Sequence, residues 1–257
     1  MKRIKFNGIA LFLFFITKVL FSVMEFGYKF TPEKDILFIT KDNNFLVQPQ
    51  SIMSHGNMLY FAAQDFTKNR ELLVKRVKEI KVIKDEPKRK IIKATYSLGS
   101  DKEYPEYSLI LFLEIREEFP FLAICSKFVY NGEGTSECGI NWAMENAYEP
   151  YKYYTIPEKG KIATYKLEKT RKTKIGQANW IFGNTGKGEG GGLIAPAVIL
   201  GKGESFIFIN SVPPKKKLSK NESIDVFMIF MPINKNFKIL EELFLKIKDI
   251  KWEYEKF

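Results

Sequence analysis

YPEYSLILFLEIREEFPFLAICSKFVYNGEGTSECGINW, residues 104–142, decides the fold. The stretch Ser108 to Leu113 is apolar on both faces, so both need cover, as in the middle of a sandwich. Phe121–Tyr130 and Ser136–Trp142 read as the next two strands, and Asn131-Gly132 between them is the dipeptide that two-residue hairpins favour. If that dipeptide is the whole turn, Tyr130 faces Glu133 and Cys125 faces Cys138 in a non-hydrogen-bonded pair. Cα atoms in such a pair lie about 4.5 Å apart, within disulfide range, so a Cys125–Cys138 bridge is expected. A four-residue turn over Asn131–Gly134 would shift the register and separate the sulfurs.

Outward from this stretch the same pattern continues. Strands are expected at 35–40, 45–48, 58–62, 72–83, 90–96 and 107–115 before the two cysteine strands. After them come 152–156, 162–168, 178–182, 193–200, 205–210 and 223–231. Turn signals recur between them, including Gly99-Ser100-Asp101, Pro157-Glu158-Lys159-Gly160 and Gly201-Lys202-Gly203. Residues 67–85 also fit a helix through Leu73, Val77 and Ile80. The shared parity of Leu72, Val74, Ile80 and Val82 favours a strand. One helix is clear: Leu240, Leu243, Phe244, Ile247 and Ile250 fall on one face, and Asn236 can cap it. The expected fold is all-β, a large antiparallel sandwich spanning 23–257 as one domain that includes a C-terminal helix at 237–250.

The N-terminus reads as an export signal over residues 1–22. Lys2, Arg3 and Lys5 precede an apolar run from Ile9 to Ile16, and Ser22 is a small residue before a cut. An uncleaved anchor or a buried first strand are the competing readings, and membrane contact is expected only if the segment is retained. The expected location is secreted or in the cell envelope. The chain is strongly basic, +11 at pH 7, which suits a solvated surface or an anionic partner. Nucleic acid is not expected as a partner.

Candidate chemistry is sparse. The run GNTGKGEGGGL, 183–193, lacks the P-loop pattern, because Ile181 and Gly188 stand where Gly and Ser or Thr are needed. It reads as a loop between strands, or as a loop shaping a site with Glu189 and Trp180. His55 is the only histidine, so it is a turn residue or a lone site residue. Two cysteines with no neighbouring histidine make no metal site, and no cofactor is expected. NWAMENAYEPYKYY, 141–154, gathers Trp142, Tyr148, Tyr151, Tyr153 and Tyr154 around Glu145 and Glu149. Such rings and acids either fill a core or bind sugar faces and hydroxyls.

Segment 104–132 resembles the central strands of the galactose mutarotase-like β-supersandwich family, with its strand pair, Pro-Phe step and long strand ending in a turn. Segment 193–232 resembles the closing strands of such domains. The family includes sugar epimerases, parts of polysaccharide lyases and hydrolases, and non-enzymatic carbohydrate modules. Its mutarotases use two histidines and a glutamate, and a single histidine cannot fill both roles. The resemblance therefore implies a sugar-related fold without epimerase chemistry. The resulting expectation is an exported protein that binds a polysaccharide or envelope glycan. Trp142, Tyr151, Tyr153 and Trp180 would stack on sugar rings, and Glu145, Glu189 and His55 would give polar contacts. A lyase or glycosidase acting on an acidic glycan, or a structural envelope protein, are the alternatives.

Overall fold

The computed structural model describes residues 27–31, 36–40, 45–119, 121–167, 177–187, 190–199, 207–210, 215–232, 237–247 and 250. The expected export segment, Glu189, Asn236 and residues 248–249 of the expected helix lie outside them. Alternation along β9 (Leu122–Tyr130) shows how the layers form. Leu122, Ile124, Phe128 and Tyr130 point into the core between two sheets, while Ala123 and Cys125 point to the opposite face. The first sheet runs β1 (Gly27–Thr31), β2 (Ile36–Thr40), β3 (Phe45–Gln48), β4 (Ser51–Ser54), β5 (Asn57–Asp65), then β10 (Thr135–Asn146). The far side of β10 is shared by β15 (Ile207–Asn210) and β16 (Lys216–Ser219). The second sheet starts with β6 (Arg70–Glu86), β7 (Arg89–Gly99), β8 (Glu103–Arg116) and β9. It continues through β17 (Glu222–Met231), β14 (Gly190–Ile199), β13 (Gln177–Asn184), β11 (Tyr153–Glu158) and β12 (Lys161–Lys166). Every ladder is antiparallel, so the all-β sandwich expected from the sequence is the fold observed.

The outer face of the second sheet explains the strands that are apolar on both sides. There α1 (Lys238–Ile247) lays Leu240, Leu243 and Ile247 on Phe121, Trp180, Phe182, Ile194 and Ile229. Glu241 in its first turn and Lys246 in its last suit the helix dipole.

Two local readings change. β9 and β10 do not pair with each other: β9 lies between β8 and β17, and β10 lies beside β5 in the other sheet. Residues 131–134 therefore carry the chain from one layer to the other, and the expected disulfide is absent. Cys125 and Cys138 are buried and form no disulfide, one on the outer face of the second sheet and one in the inter-sheet core. β6 is a strand, but register shifts at Val74/Arg76, Val77/Glu79 and Val82/Lys84 break its parity. Both Val77 and Ile80 consequently reach the core, which is what gave this segment its helix-like spacing.

At the end of the sandwich where β5 finishes, Asp65 is buried and accepts hydrogen bonds from the Tyr107 hydroxyl and, at 3.0 Å, from the Lys68 backbone N–H. Burial pushes its pKa up. The Tyr107 bond, the Lys68 bond and the Lys68 charge outweigh this and hold it below the ordinary value. A depressed folded pKa means that its contribution is complete above the unfolded value of about 3.9 and fades as pH falls through the folded one. Tyr107→Phe is expected to lose about 2 kcal/mol at neutral pH and to begin acid unfolding at a higher pH than the unmutated protein. Near-ultraviolet circular dichroism against pH measures both, and superimposable acid limbs would contradict the assignment.

Candidate functional site

Three stretches that stand far apart in sequence meet at the opposite end of the sandwich: the His55 turn, the aromatic run after Trp142 and the glycine-rich run. Antiparallel pairing sets Asn57, at the start of β5, against Asn146, at the end of β10. In the other sheet, Asn184 at the end of β13 pairs with both Tyr153 and Gly190. Three hydrogen bonds tie these ends together. Asn57 Nδ2 donates to Gly190 O at 3.1 Å, Ala147 N to Gly56 O at 2.7 Å, and Lys152 N to Asn184 O at 2.8 Å.

Asn57 is the hub. Its Oδ1 accepts from the Tyr151 hydroxyl at 2.7 Å and from Asn146 Nδ2 at 3.3 Å. Asn146 Oδ1 in turn accepts the backbone N–H groups of Tyr148 and Glu149, both at 3.0 Å, which folds residues 147–149 into a fixed bend. Gly191 is a glycine because a β-carbon there would stand 2.9 Å from Asn57 Cγ and from the Tyr151 hydroxyl. The glycine-rich run is thus mostly strand: Gly190, Gly191 and Gly192 are paired residues of β14.

On this frame sit two exposed rings. Tyr148 is 80% exposed and rests on Gly56, where a β-carbon would come within 2.6 Å of the ring. Gly56 has φ +78° and His55 φ +47°, the signature of a two-residue primed turn closed by Ser54 and Asn57. Tyr153 is 39% exposed and lies beside Gly186. Between the tyrosines in sequence, Glu149 is held by Lys187 at 3.0 Å and Lys152 at 3.1 Å. Those two ammonium groups keep its carboxyl below the usual range. The half-buried Glu145 accepts the Tyr60 hydroxyl; burial first, then this bond, pushes Tyr60 up to about 12. Burial and the Glu145 charge likewise raise Tyr151.

The residues expected from the sequence therefore divide. His55, Glu145, Tyr151 and Tyr153 come together at this end; Tyr151 is buried as a strut, and Tyr153 presents a ring. Trp142 and Trp180 do not join them. Trp142 is 1% exposed, edge-on to Phe61 at 5.4 Å, and donates from Nε1 to Ser126 Oγ at 3.2 Å across the sandwich. The space beside it is ≈ 10 Å³, room for a water and not for a sugar ring. Trp180 is 2% exposed and stacks on Phe237 at 6.0 Å under the helix side. Tyr148 belongs to the aromatic cluster that the sequence marks but not to the residues expected to touch sugar, and Lys152, Lys187 and the two asparagines belong to neither set. Lys152 stands three residues from Glu149, a local pair, whereas Lys187 reaches Glu149 only through the fold.

The open part of the second sheet's outer face offers less. Its Phe112 is buried, with Lys93 and Lys127 ammonium groups at 6.0 and 5.8 Å from the ring centre. A groove of ≈ 390 Å³ beside the β11–β12 turn is lined by Pro157, Lys159, Gly160, Ala178 and Asn179, with no aromatic ring.

No protein-family model and no curated protein sequence matches this chain. Solved structures match its fold. The galactosidase domain of an alpha-galactosidase-sucrose kinase aligns at TM-score 0.60 and 10% identity over 85% of this chain and 43% of that one. A putative aldose 1-epimerase from Klebsiella pneumoniae subsp. pneumoniae aligns at TM-score 0.50 and 8% identity over 85% of this chain and 84% of that one. The α-galactosidase AgaA from Geobacillus stearothermophilus, in complex with stachyose, aligns at TM-score 0.50 and 9% identity over 73% and 32%. The chain spans less than half the length of either galactosidase. Its fold is galactose mutarotase-like, and a likeness at such identities is one of fold.

Proposed function

We propose that this protein binds saccharide without turning it over, at the end of the sandwich formed by residues 55–57, 146–153 and 184–187, and that it works outside the cytoplasm. The observation that carries the reading is the pair of solvent-open tyrosine rings, each set against a turn glycine, with an ion-held carboxylate between them in sequence. Flat rings stack on the apolar faces of pyranoses, and the nearby charged groups accept and donate to hydroxyls. Supporting it, one neighbour of the same fold is an α-galactosidase in complex with stachyose, and another is a putative aldose 1-epimerase. A lyase or glycosidase has less support, because Glu149 is engaged by two lysines and Glu145 by Tyr60. The extracytoplasmic placement rests on the basic and apolar residues 1–22 alone; the unbridged cysteines add nothing to it.

Two stacking contacts and a few hydrogen bonds support binding of about −5 kcal/mol, a sub-millimolar Kd. The full chain is expected to be retained on at least one polysaccharide in an affinity-electrophoresis panel. Tyr148→Ala/Tyr153→Ala is expected to remove retention while leaving the circular dichroism spectrum intact, since both rings are outside the core. No retention on any polymer, or undiminished retention of the double variant, would overturn the reading. Sequencing the N-terminus of protein recovered from culture medium and cell envelope tests the placement; recovery solely from cytosol with residue 1 intact would reject it.

A further inference from the structure

We infer that the saccharide taken at this site is anionic, a uronate-bearing chain whose carboxylate is received by Lys152 and Lys187. The inference rests on the saccharide reading above and adds the chemical class of the ligand. Each ammonium carries three donors, and Glu149 accepts from each, one oxygen per lysine. The remaining donors face solvent: the lysine side chains are 54% and 72% exposed, and among the described residues neither has a second carboxylate partner. The cluster therefore keeps one net positive charge with Glu149 ionised, beside two open rings.

Glu149 also does something a lone surface lysine lacks. It holds two long, rotamer-rich chains side by side before a ligand arrives, so less ordering entropy is lost on binding. Its own position is set by the Asn146 side chain, which accepts its backbone N–H at 3.0 Å. A pyranose stacked on a tyrosine projects its C5 substituent from the ring edge. A hydroxymethyl group there makes ordinary hydrogen bonds with the ammonium groups; a carboxylate in the same position makes charge-assisted ones, roughly twice as strong.

Calorimetric titration of the full chain with α-1,4-linked tetragalacturonate and with the neutral galactose tetramer of the same linkage tests this, because the probes differ chiefly at C6. The acidic probe is expected to bind about ten-fold tighter at low salt. The advantage is expected to shrink at about 0.5 M NaCl, where screening is strong. Lys152→Gln/Lys187→Gln is expected to bind both probes equally. Equal binding by the unmutated protein overturns the anionic preference. A preference that survives in the double lysine variant places the anion elsewhere and overturns the assignment too. Binding of neither probe overturns this inference, while the polysaccharide panel decides the saccharide reading separately.

Discussion

Trp142→Ala is expected to lose about 3–5 kcal/mol of folding stability, the range for removing a buried large aromatic. The indole is buried, meets Phe61 edge to face, and hydrogen-bonds Ser126 of β9 from β10, so it fastens one sheet to the other. Ser126 Oγ donates onward to Val226 O at 3.2 Å, so the loss also frees a buried hydroxyl from one of its two partners. Domains of this kind are stable by about 5–15 kcal/mol in total, so the variant would sit close to unfolding. The urea midpoint of unfolding measures it. A loss below about 1 kcal/mol would mean that Trp142 is not a core residue and would reopen it as a stacking platform.

Glu114→Ala is expected to lose about 3 kcal/mol. β7 and β8 set Arg89 directly opposite Arg116, an arrangement of like charges that a sheet does not tolerate unaided. The fully buried Glu114 carboxylate answers both, at 2.7 Å from Arg89 Nε and 2.6 Å from Arg116 Nε. Removing one partner of a buried ionic group leaves the others uncompensated, typically 3–5 kcal/mol; the partial exposure of both arginines puts this case at the lower end. Chemical denaturation again provides the number, and a change within about 0.5 kcal/mol would show that the arginines are satisfied without it.

Residue parity made much of this fold legible. The apolar run from Ser108 to Leu113 does lie in the middle of a sheet: Leu109, Leu111 and Leu113 enter the inter-sheet core, and Phe112 on the other face is buried beside Cys125 with Lys93 and Lys127 over its ring. The helix buries the Leu240, Leu243 and Ile247 face that its periodicity marks. Short elements escaped: β16 carries one buried residue, Leu218, and β4 is four residues between two turns. Turn chemistry misled once. Asn131-Gly132 has the ideal composition for a hairpin, but Tyr130 and Trp142 each bury in the shared core from opposite sheets, and that packing overrides the local preference. His55-Gly56, a weaker signal, forms the two-residue turn instead. The site was half visible for a related reason. Its three segments could each be picked out by composition, but which aromatics face water depends on layer and register. Trp142 and Trp180 fall to the two cores, while Tyr148 and Tyr153 escape them. The Asn57 hub joins residues 89 and 133 positions away in the chain, a relation that only the fold creates.

The central claim is that saccharide is met at the loop end and not on the sheet. A two-dimensional amide NMR titration with a polysaccharide-derived oligomer retained by the protein tests it most directly. Shifts confined to residues 55–57, 146–153 and 184–187 are the result expected. Shifts centred on Lys93, Ile110, Lys127 and Phe227, with the loop end unmoved, would contradict it.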